Sequence, residues 1–232
     1  MSDSLLDPLA GCRAYLEAHH RHHAQERRKT LPVVTLSREA GAGAVTIGEL
    51  TAQLLNQPRS DGPPWTVFDK NLVSKVLEDH LFPGHLQRFM PEDVLPGMTS
   101  AVEEILGLHP SAWTLAEHTT ETILRLAHLG NAILVGRGSN LIAAKIWPAV
   151  YVRFVAPLEA RVEHLAEYYH LTRAEALAYA RKADQGRRRY VKRYFRTDIE
   201  NPLNYTLTIN TGRMSYQTAA HIIAEAVRKI AP

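Results

Sequence analysis

The stretch TLSREAGAGAVTIGELTAQLL, residues 35–55, decides the fold because it joins a β-branched run to a helical pattern through a turn with two glycines. The preceding run PVVTLS, Pro32–Ser37, predicts a buried strand. Helical spacing then separates Ile47, Leu50, Leu54 and Leu55. A glycine-rich turn in front of a helix presents backbone N–H groups and the positive end of the helix dipole to an anion. The stretch therefore has the outline of a phosphate-binding loop.

The lysine of such a loop is missing. The full pattern places Gly-Lys-Ser/Thr at the start of the helix, whereas Ala44 and Val45 follow Gly43 in this chain. Two glycines in a strand-to-helix turn also fit an ordinary tight turn that needs them for backbone reasons. The stretch alone leaves both interpretations open.

Composition places the chain among globular proteins. Its 232 residues are 45% hydrophobic and 22% charged, which favours one domain with a full core and a small extension. We expect a polar N-terminal extension over 1–30, as a surface helix or solvated arm, and the domain over 31–232. No apolar run is long enough to cross a bilayer, and no secretory signal is evident. The single cysteine, Cys12, excludes an internal disulfide, so we expect a cytoplasmic protein.

Five strands are predicted along the chain. After Pro32–Ser37 they are Trp65–Asp69, Asn131–Asn140, Ala149–Pro157 and Tyr205–Asn210. Their alternation with helical segments predicts an α/β domain with a mainly parallel sheet. Ligands bind at the carboxyl ends of the strands in such sheets. The residues that should therefore cluster are Ser37 to Thr46, Asp69, Lys70, Arg137, Asn210 and Thr211.

A basic helix is predicted after Thr172, which forms a capping box with Glu175. Asp184 lies three residues before Arg187 and four before Arg188, so the three side chains meet on the helix surface. An aspartate can hold an arginine in position, and a positioned arginine stabilises charge on a transferring phosphoryl group. A solvated charged helix and a polynucleotide-binding surface are the alternatives.

Nucleic acid is not an expected partner. The net charge of +3 is mild, and no strand carries a Phe/Tyr-rich motif typical of RNA-binding modules. Arg137, in VGRG at a strand end, is instead well placed to bind a phosphate through two hydrogen bonds, although a surface turn is the simpler alternative.

Taken in order, six segments carry a family resemblance: SREAGAG, VFDKNLV, NAILVGRGSNLI, VRFVAPLEARV, ADQGRRRYVKRYF and NPLNYTLTINTGRMS. The pattern resembles the cytidylate kinase-like proteins, which are bacterial relatives of the nucleoside monophosphate kinases in the P-loop superfamily. The resemblance covers about Leu31 to Ile230. It implies a P-loop kinase type of three-layer fold with a five-stranded parallel sheet, a helical insertion over about 70–127 and a basic lid over about 172–200.

The resemblance also implies roles for individual residues. The donor phosphates would be bound by Ser37, Arg38, Gly41, Ala42, Gly43, Ala44, Val45 and Thr46. The acceptor monophosphate would be bound by Asp69, Lys70 and Arg137, and the lid would supply Arg187 and Arg188, positioned by Asp184. Arg38 stands where the first glycine of the Walker loop would be and could supply the missing charge.

ATP and Mg²⁺ are the cofactors that the resemblance implies. No aspartate ends the strand AILVG, where a Walker B carboxylate would help to hold the metal. Thr46 is therefore the first candidate ligand, with Asp69 and Glu39 as alternatives. The leading function is phosphoryl transfer from ATP to a small acceptor, with CMP as the first candidate. The alternative is a catalytically degenerate kinase fold that binds a nucleotide or a partner and acts as a regulator. The sequence predicts no membrane association, and it leaves the acceptor and the oligomeric state open.

Overall fold

Five parallel strands form the sheet of the protein, which was analysed as a computed structural model describing residues 11–12, 14–19, 31–57, 62–69 and 114–230. The strands are β1 (Val33–Arg38), β2 (Thr66–Phe68), β3 (Ala132–Val135), β4 (Ala149–Val155) and β5 (Leu207–Asn210), in the spatial order β2-β3-β1-β4-β5. Every neighbouring pair is parallel. The predicted five-stranded parallel sheet is confirmed.

The central place of β1 in the sheet explains why residues 33–37 are apolar or small. Val33 pairs with Ala132 of β3 on one side and with Ala149 of β4 on the other. Because both edges are paired and both faces are covered, the strand is buried from Val33 to Ser37 and only Arg38, at its carboxyl end, is partly exposed. That end is where the glycine turn begins.

Besides the helical residues within 11–19, six helices surround the sheet in the described part of the chain. They are α1 (Ala44–Leu55), α2 (Thr114–Leu129), α3 (Ser139–Ile142), α4 (Leu158–Tyr169), α5 (Arg173–Phe195) and α6 (Tyr216–Ile230), and a 3₁₀ turn covers Pro202–Asn204. Alternate strand residues face opposite core clusters: Leu134 packs with α2, whereas Ile133 packs with α1 and α6. The domain therefore has three layers. None of the described helices is both long and apolar enough to traverse a bilayer.

The expected N-terminal extension contributes to the core. The described residues of 11–19 are helical, and Cys12 and Tyr15 are buried against the α2 face of the sheet. The Tyr15 hydroxyl donates to the Gly130 carbonyl oxygen at 2.5 Å, and its ring centroid lies 5.2 Å from that of Phe68. Of the two forms expected for the extension, these described residues adopt the helix, but its buried face was not expected. The polar composition of residues 1–30 concealed a short apolar face with helical spacing.

The basic helix α5 begins where the sequence predicted. Thr172 Oγ1 accepts from the Glu175 N–H at 3.3 Å, and Glu175 Oε2 accepts from the Thr172 N–H at 2.9 Å, which completes the capping box. Ala176 and Ala180 pack against Val162 of α4. Of the expected insertion over 70–127, the structure describes only the part from Thr114 onward.

Candidate functional site

A cavity of about 620 Å³ opens at the carboxyl ends of β1, β2 and β3. Its lining combines the turn from Ser37 to Thr46 with Asp69, Arg137 and residues of α4 and α5. Of the strand ends that the sequence predicted to cluster, those of β1, β2 and β3 thus meet around one space, whereas Asn210 and Thr211 are absent from its described lining. The volume of the cavity falls within the usual range for small-molecule sites. Lys70, also predicted for this cluster, lies outside the described residues.

The turn needs both of its glycines. Gly41 and Gly43 have φ angles of 82° and 76°, in the left-handed region. A Cβ on Gly41 would lie 2.5 Å from the carbonyl oxygen of Arg161, and one on Gly43 would overlap the ring of Tyr216. Close packing therefore accounts for the glycines, and the same geometry starts α1 beside the cavity. The first-turn N–H groups of a helix have no acceptor within it, which leaves them available to an anion.

Neither residue after Gly43 replaces the missing lysine. Ala44 is only 4% exposed and packs in the core cluster beneath α1. Val45 is 38% exposed but carries no charge. Thr46 is exposed and lines the cavity from the first turn of α1. Any cation that acts on a bound phosphate must come from another element.

Three arginines bring positive charge to the described lining of the cavity. Arg38 from β1, Arg137 from the turn after β3 and Arg187 from α5 all line the cavity. The pKa of Arg38 is lowered to about 10, chiefly by burial and further by the charges of Arg187 and Arg137, against the opposing effect of Asp69. The guanidinium is thus held among other cations with insufficient countercharge. An anion in the cavity would relieve this repulsion.

The turn after β3 is shaped around Arg38. Gly136, Arg137 and Gly138 have φ angles of 82°, 56° and 70°, three left-handed residues in succession. A Cβ on Gly136 would overlap the guanidinium of Arg38, and one on Gly138 would lie 2.6 Å from the ring of Phe195. The strand end that lacks a metal-binding aspartate therefore accommodates an arginine instead.

Asp184 joins the basic helix to the glycine turn. Its Oδ1 accepts from the Ala40 N–H at 2.7 Å and from Arg187 Nη1 at 3.1 Å, and its Oδ2 accepts from Arg161 Nη1 at 2.8 Å. These bonds hold Arg187 at the cavity, which is the positioning that the three-residue spacing predicted.

Arg188 is placed differently from the prediction. It bonds Glu200 through Nε at 2.9 Å and Nη2 at 2.5 Å, and it is absent from the described lining of the cavity. Its four-residue spacing from Asp184 would have allowed the predicted pair. Asp184 is instead occupied by Arg161 and Arg187, while Glu200, after the end of α5, offers Arg188 an exposed carboxylate.

Arg161 is a functional-site residue that sequence reasoning missed. It is buried, and its guanidinium bonds the carbonyl oxygens of Ala156 at 2.9 Å and Ala40 at 3.1 Å, besides pairing with Asp184. Its Nε also lies 3.3 Å from Glu39 Oε2. These partners are distant in sequence. The only signal available was a carboxylate, Glu39, directly after a buried strand.

Two further side chains contact the backbone of the glycine turn. His164 Nδ1 lies 3.0 Å from the Gly41 carbonyl oxygen, so this nitrogen carries a proton and donates it. Thr211 Oγ1 donates to the Ala42 carbonyl oxygen at 3.3 Å. Asn210 Oδ1 accepts from the Gly212 N–H at 3.0 Å and shapes the turn after β5. The residues after β5 thus reach the glycine turn as predicted, through Thr211.

Residues 33–213 match the model of the cytidylate kinase-like family. The chain belongs to the cytidylate kinase-like family. The match covers all five strands, the glycine turn, the basic helix α5 and the turn after β5. It confirms the family resemblance, and with the parallel sheet it confirms the predicted α/β fold of the P-loop kinase type.

Three other proteins are similar to this cytidylate kinase-like chain at sequence identities of 12–26%. The crystal structure of an uncharacterised protein from Eubacterium ventriosum has a TM-score of 0.67 at 16% identity, covering 87% of this chain and 99% of that one. Shikimate kinase from Bacteroides thetaiotaomicron has a TM-score of 0.46 at 12% identity, over 86% and 99%. Uronate isomerase of Corynebacterium glutamicum is 26% identical over 118 residues, which are 51% of this chain and 23% of that protein. The chain thus spans about a quarter of this curated relative's length.

The family implies nucleotide and Mg²⁺ use, and the cavity fits a metal that arrives with phosphates. Among the described residues, no group of three or more His, Cys, Asp or Glu side chains could hold a metal ion. Mg²⁺ in nucleotide sites commonly takes one or two protein ligands besides phosphate oxygens. Thr46 and Asp69 both line the cavity and supply suitable oxygens. Glu39 is less suited because it accepts from the Ala156 N–H at 3.1 Å and faces Arg161.

Proposed function

We propose that the protein transfers a phosphoryl group from ATP to a nucleoside monophosphate, with CMP as the first candidate acceptor. The observation that carries the proposal is the convergence of Arg38, Arg137 and Arg187 on the cavity that contains the glycine turn. Three guanidinium groups beside an exposed helix N-terminus suit a ligand with several phosphates. Family membership supports the same class of chemistry.

The donor phosphates are assigned to the glycine turn. The N–H groups at the start of α1, from Ala44 to Thr46, would bind their oxygens in place of a side-chain cation. Arg38 would supply the fixed charge that the missing lysine supplies in a complete loop. Because its guanidinium is already buried beside Gly136, it would require no closure movement to act on the donor.

The acceptor is assigned to the part of the cavity lined by Arg137, which would bind its phosphate, with Asp69 near the acceptor nucleotide. Lys70, which lies outside the described residues, is proposed as a second cation for the acceptor. In the transfer step an oxygen of the acceptor phosphate attacks the γ-phosphorus of ATP. The bond from that phosphorus to the β–γ bridging oxygen breaks, and the products are ADP and a nucleoside diphosphate. Little covalent chemistry falls to the protein in such a reaction, so positioning and charge stabilisation dominate catalysis.

The third role is neutralisation of the transferring group. Arg187, fixed by Asp184, is proposed to stabilise the charge that develops on the equatorial oxygens. Arg188 would join it only when its ion pair with Glu200 opens, because that pair holds it away from the lining. A bound Mg²⁺, held by Thr46 and Asp69 with the phosphates, would supply further positive charge to the donor.

The test is transfer from ATP labelled in its γ-phosphate, with magnesium, to a panel of nucleoside monophosphates. The proposal expects one acceptor to become a labelled diphosphate. ATP binding without transfer to any acceptor, at high protein concentration, would contradict the enzyme function and favour the regulatory nucleotide-binding alternative. Measuring ATP binding in parallel by calorimetry separates these outcomes.

A further inference from the structure

Three tyrosines that no phosphate role explains line the same cavity. Tyr168 and Tyr169 end α4, and Tyr179 lies in the second turn of α5. They are 65%, 49% and 43% exposed, although large aromatic side chains normally bury most of their surface. Exposed aromatic groups that gather in a cavity indicate a binding surface more often than scattered ones do.

The three rings form a contiguous aromatic wall. The centroids of Tyr168 and Tyr169 are 4.9 Å apart in an edge-to-face arrangement, and those of Tyr169 and Tyr179 are 5.5 Å apart. Burial raises the pKa of Tyr169, and the neighbouring Tyr179 raises it further through charge and a hydrogen bond between the two side chains. The Tyr169 phenol is thus neutral near physiological pH, and its contact with Tyr179 restrains the two rings.

The aromatic wall lies beside the phosphate-binding elements. The ring of His164 is 6.0 Å from that of Tyr168, and its Nδ1 contacts the Gly41 carbonyl oxygen at the glycine turn. On the other side, Arg38 and Arg187 line the same cavity as the three tyrosines. A ligand with phosphates at the turn and the arginines would therefore have its apolar part within reach of these rings.

We propose that Tyr168, Tyr169 and Tyr179 form a stacking surface for the base of the nucleotide whose phosphates occupy the cavity. The inference deepens the proposed function and rests on its phosphate site. Stacking suits the site because every base has an aromatic face, and tyrosine adds a hydroxyl group that tolerates water at the cavity mouth. The shared chemistry is a nucleobase on a phosphate chain, and it can belong to the donor or to the acceptor.

The test compares ligands with and without a base. Dissociation constants are measured by calorimetry for ATP against inorganic tripolyphosphate, and for CMP against ribose 5-phosphate. Tyr169→Ala and Tyr179→Ala should each weaken binding of the base-containing ligand by roughly 5- to 100-fold, as expected for loss of one stacking partner. Binding of the base-free ligand should not change. A loss confined to ATP would assign the surface to the donor base, and a loss confined to CMP to the acceptor base.

Two sets of control variants accompany the test. Tyr169→Phe and Tyr179→Phe keep the aromatic face and should bind as the wild type does. Trp147→Ala removes a comparably exposed aromatic side chain, 67% exposed, from outside the described lining of the cavity, and should have no effect. Because the three tyrosines are 43–65% exposed, their replacement should leave the unfolding transition near that of the wild type.

The outcomes separate this inference from the proposed function. If the alanine variants bind ATP and CMP as tightly as the wild type does, the stacking surface is overturned and the phosphate site is left intact. An equal loss for base-free and base-containing ligands would also overturn it. Base-dependent loss in a protein that transfers no phosphoryl group would support the stacking surface and overturn the enzymatic proposal. Failure of the wild type to bind either nucleotide would overturn both.

Discussion

The guanidinium group of Arg38 lies against the α-carbon of Gly136, so close that any Cβ at position 136 would overlap it. The two residues end neighbouring parallel strands, β1 and β3, and both line the cavity. In a complete phosphate-binding loop, position 38 would be a glycine and a lysine would follow Gly43. In this chain the glycine, Gly136, follows the adjacent strand β3, and the cation, Arg38, ends β1.

Gly136→Ala should therefore disturb both the turn and the cation. The residue has φ 82°, a conformation that costs an L-residue about 1–2 kcal/mol, and the added methyl group would displace Arg38. We expect a lower free energy of unfolding and weaker tripolyphosphate binding, measured by urea denaturation and calorimetry. Gly186→Ala is the matched control for stability alone, because a Cβ there has no neighbour within 4 Å but Gly186 also lines the cavity. In the middle of α5 it should stabilise the protein by about 0.5–1 kcal/mol. A fully stable, tightly binding Gly136→Ala protein would contradict the account.

Arg38→Met should stabilise the free protein while weakening anion binding. Folding lowers the pKa of this basic group to about 10, so the folded state disfavours its charged form. That penalty is complete at neutral pH and fades only as the pH rises above about 10 towards the ordinary value. Removing the charge should raise the free energy of unfolding near neutral pH by about 1–2 kcal/mol.

Adding tripolyphosphate should make the wild type more stable than Arg38→Met. The ligand stabilises the wild type by binding to its folded state, and it should bind Arg38→Met more weakly. Urea denaturation with and without the ligand measures both effects. Arg38→Lys, which keeps a positive charge, is the control and should retain ligand-induced stabilisation. A methionine variant that the ligand stabilises as strongly as the wild type would count against Arg38 as a phosphate ligand.

Arg161→Met should be strongly destabilising. It would deprive the mostly buried carboxylates of Asp184 and Glu39 of a shared, buried arginine, and breaking a buried pair costs about 3–5 kcal/mol. Asp184 would keep only its bonds to Arg187 and the Ala40 N–H. Arg173→Met is the matched control, because Arg173 pairs with Glu159 where both side chains are largely exposed, and it should change stability by about 0–1 kcal/mol. Thermal or urea unfolding measures both. Equal effects for the two variants would show that the Arg161 network does not hold the turn to α5.

Arg187→Ala should slow phosphoryl transfer more than Arg188→Ala does. Arg187 lines the cavity and is fixed by Asp184, whereas Arg188 is paired with Glu200 outside the lining described for the cavity. Loss of one preorganised charge at the transferring group typically lowers kcat by about 10²–10³. Steady-state kinetics with the best acceptor measures the difference, and Arg189→Ala, an exposed position on the same helix, controls for lost charge. A larger effect at Arg188 would indicate that its ion pair opens in every turnover.

Much of this arrangement was predictable because it depends on local periodicity and strand order. Buried β-branched runs marked the five strands, and parallel topology then required their carboxyl ends to meet. The capping box at Thr172 and the three-residue spacing of Asp184 and Arg187 are likewise local. Each of these features follows from residues that are neighbours in sequence.

The parts that could not be predicted depend on competition between distant partners. Spacing allowed Asp184 to pair with Arg188, but Arg161, 23 residues earlier, occupies the carboxylate instead. The sequence showed that Gly136 follows a strand, but it did not show that the guanidinium of Arg38 occupies the space where a Cβ at position 136 would lie. The burial of Tyr15 against Phe68 also depends on tertiary packing that the polar composition of its segment did not indicate.

The central claim is that arginines from other elements replace the missing loop lysine in an active phosphoryl transferase. The most direct measurement is the rate of transfer from labelled ATP to the best nucleoside monophosphate by the wild type, Arg38→Met and Arg187→Ala, each first shown to be folded by its unfolding transition. The account predicts measurable transfer by the wild type and a loss of about 10²–10³ in each variant. Transfer by the wild type that neither variant reduces, or no transfer by a wild type that binds ATP, would contradict it.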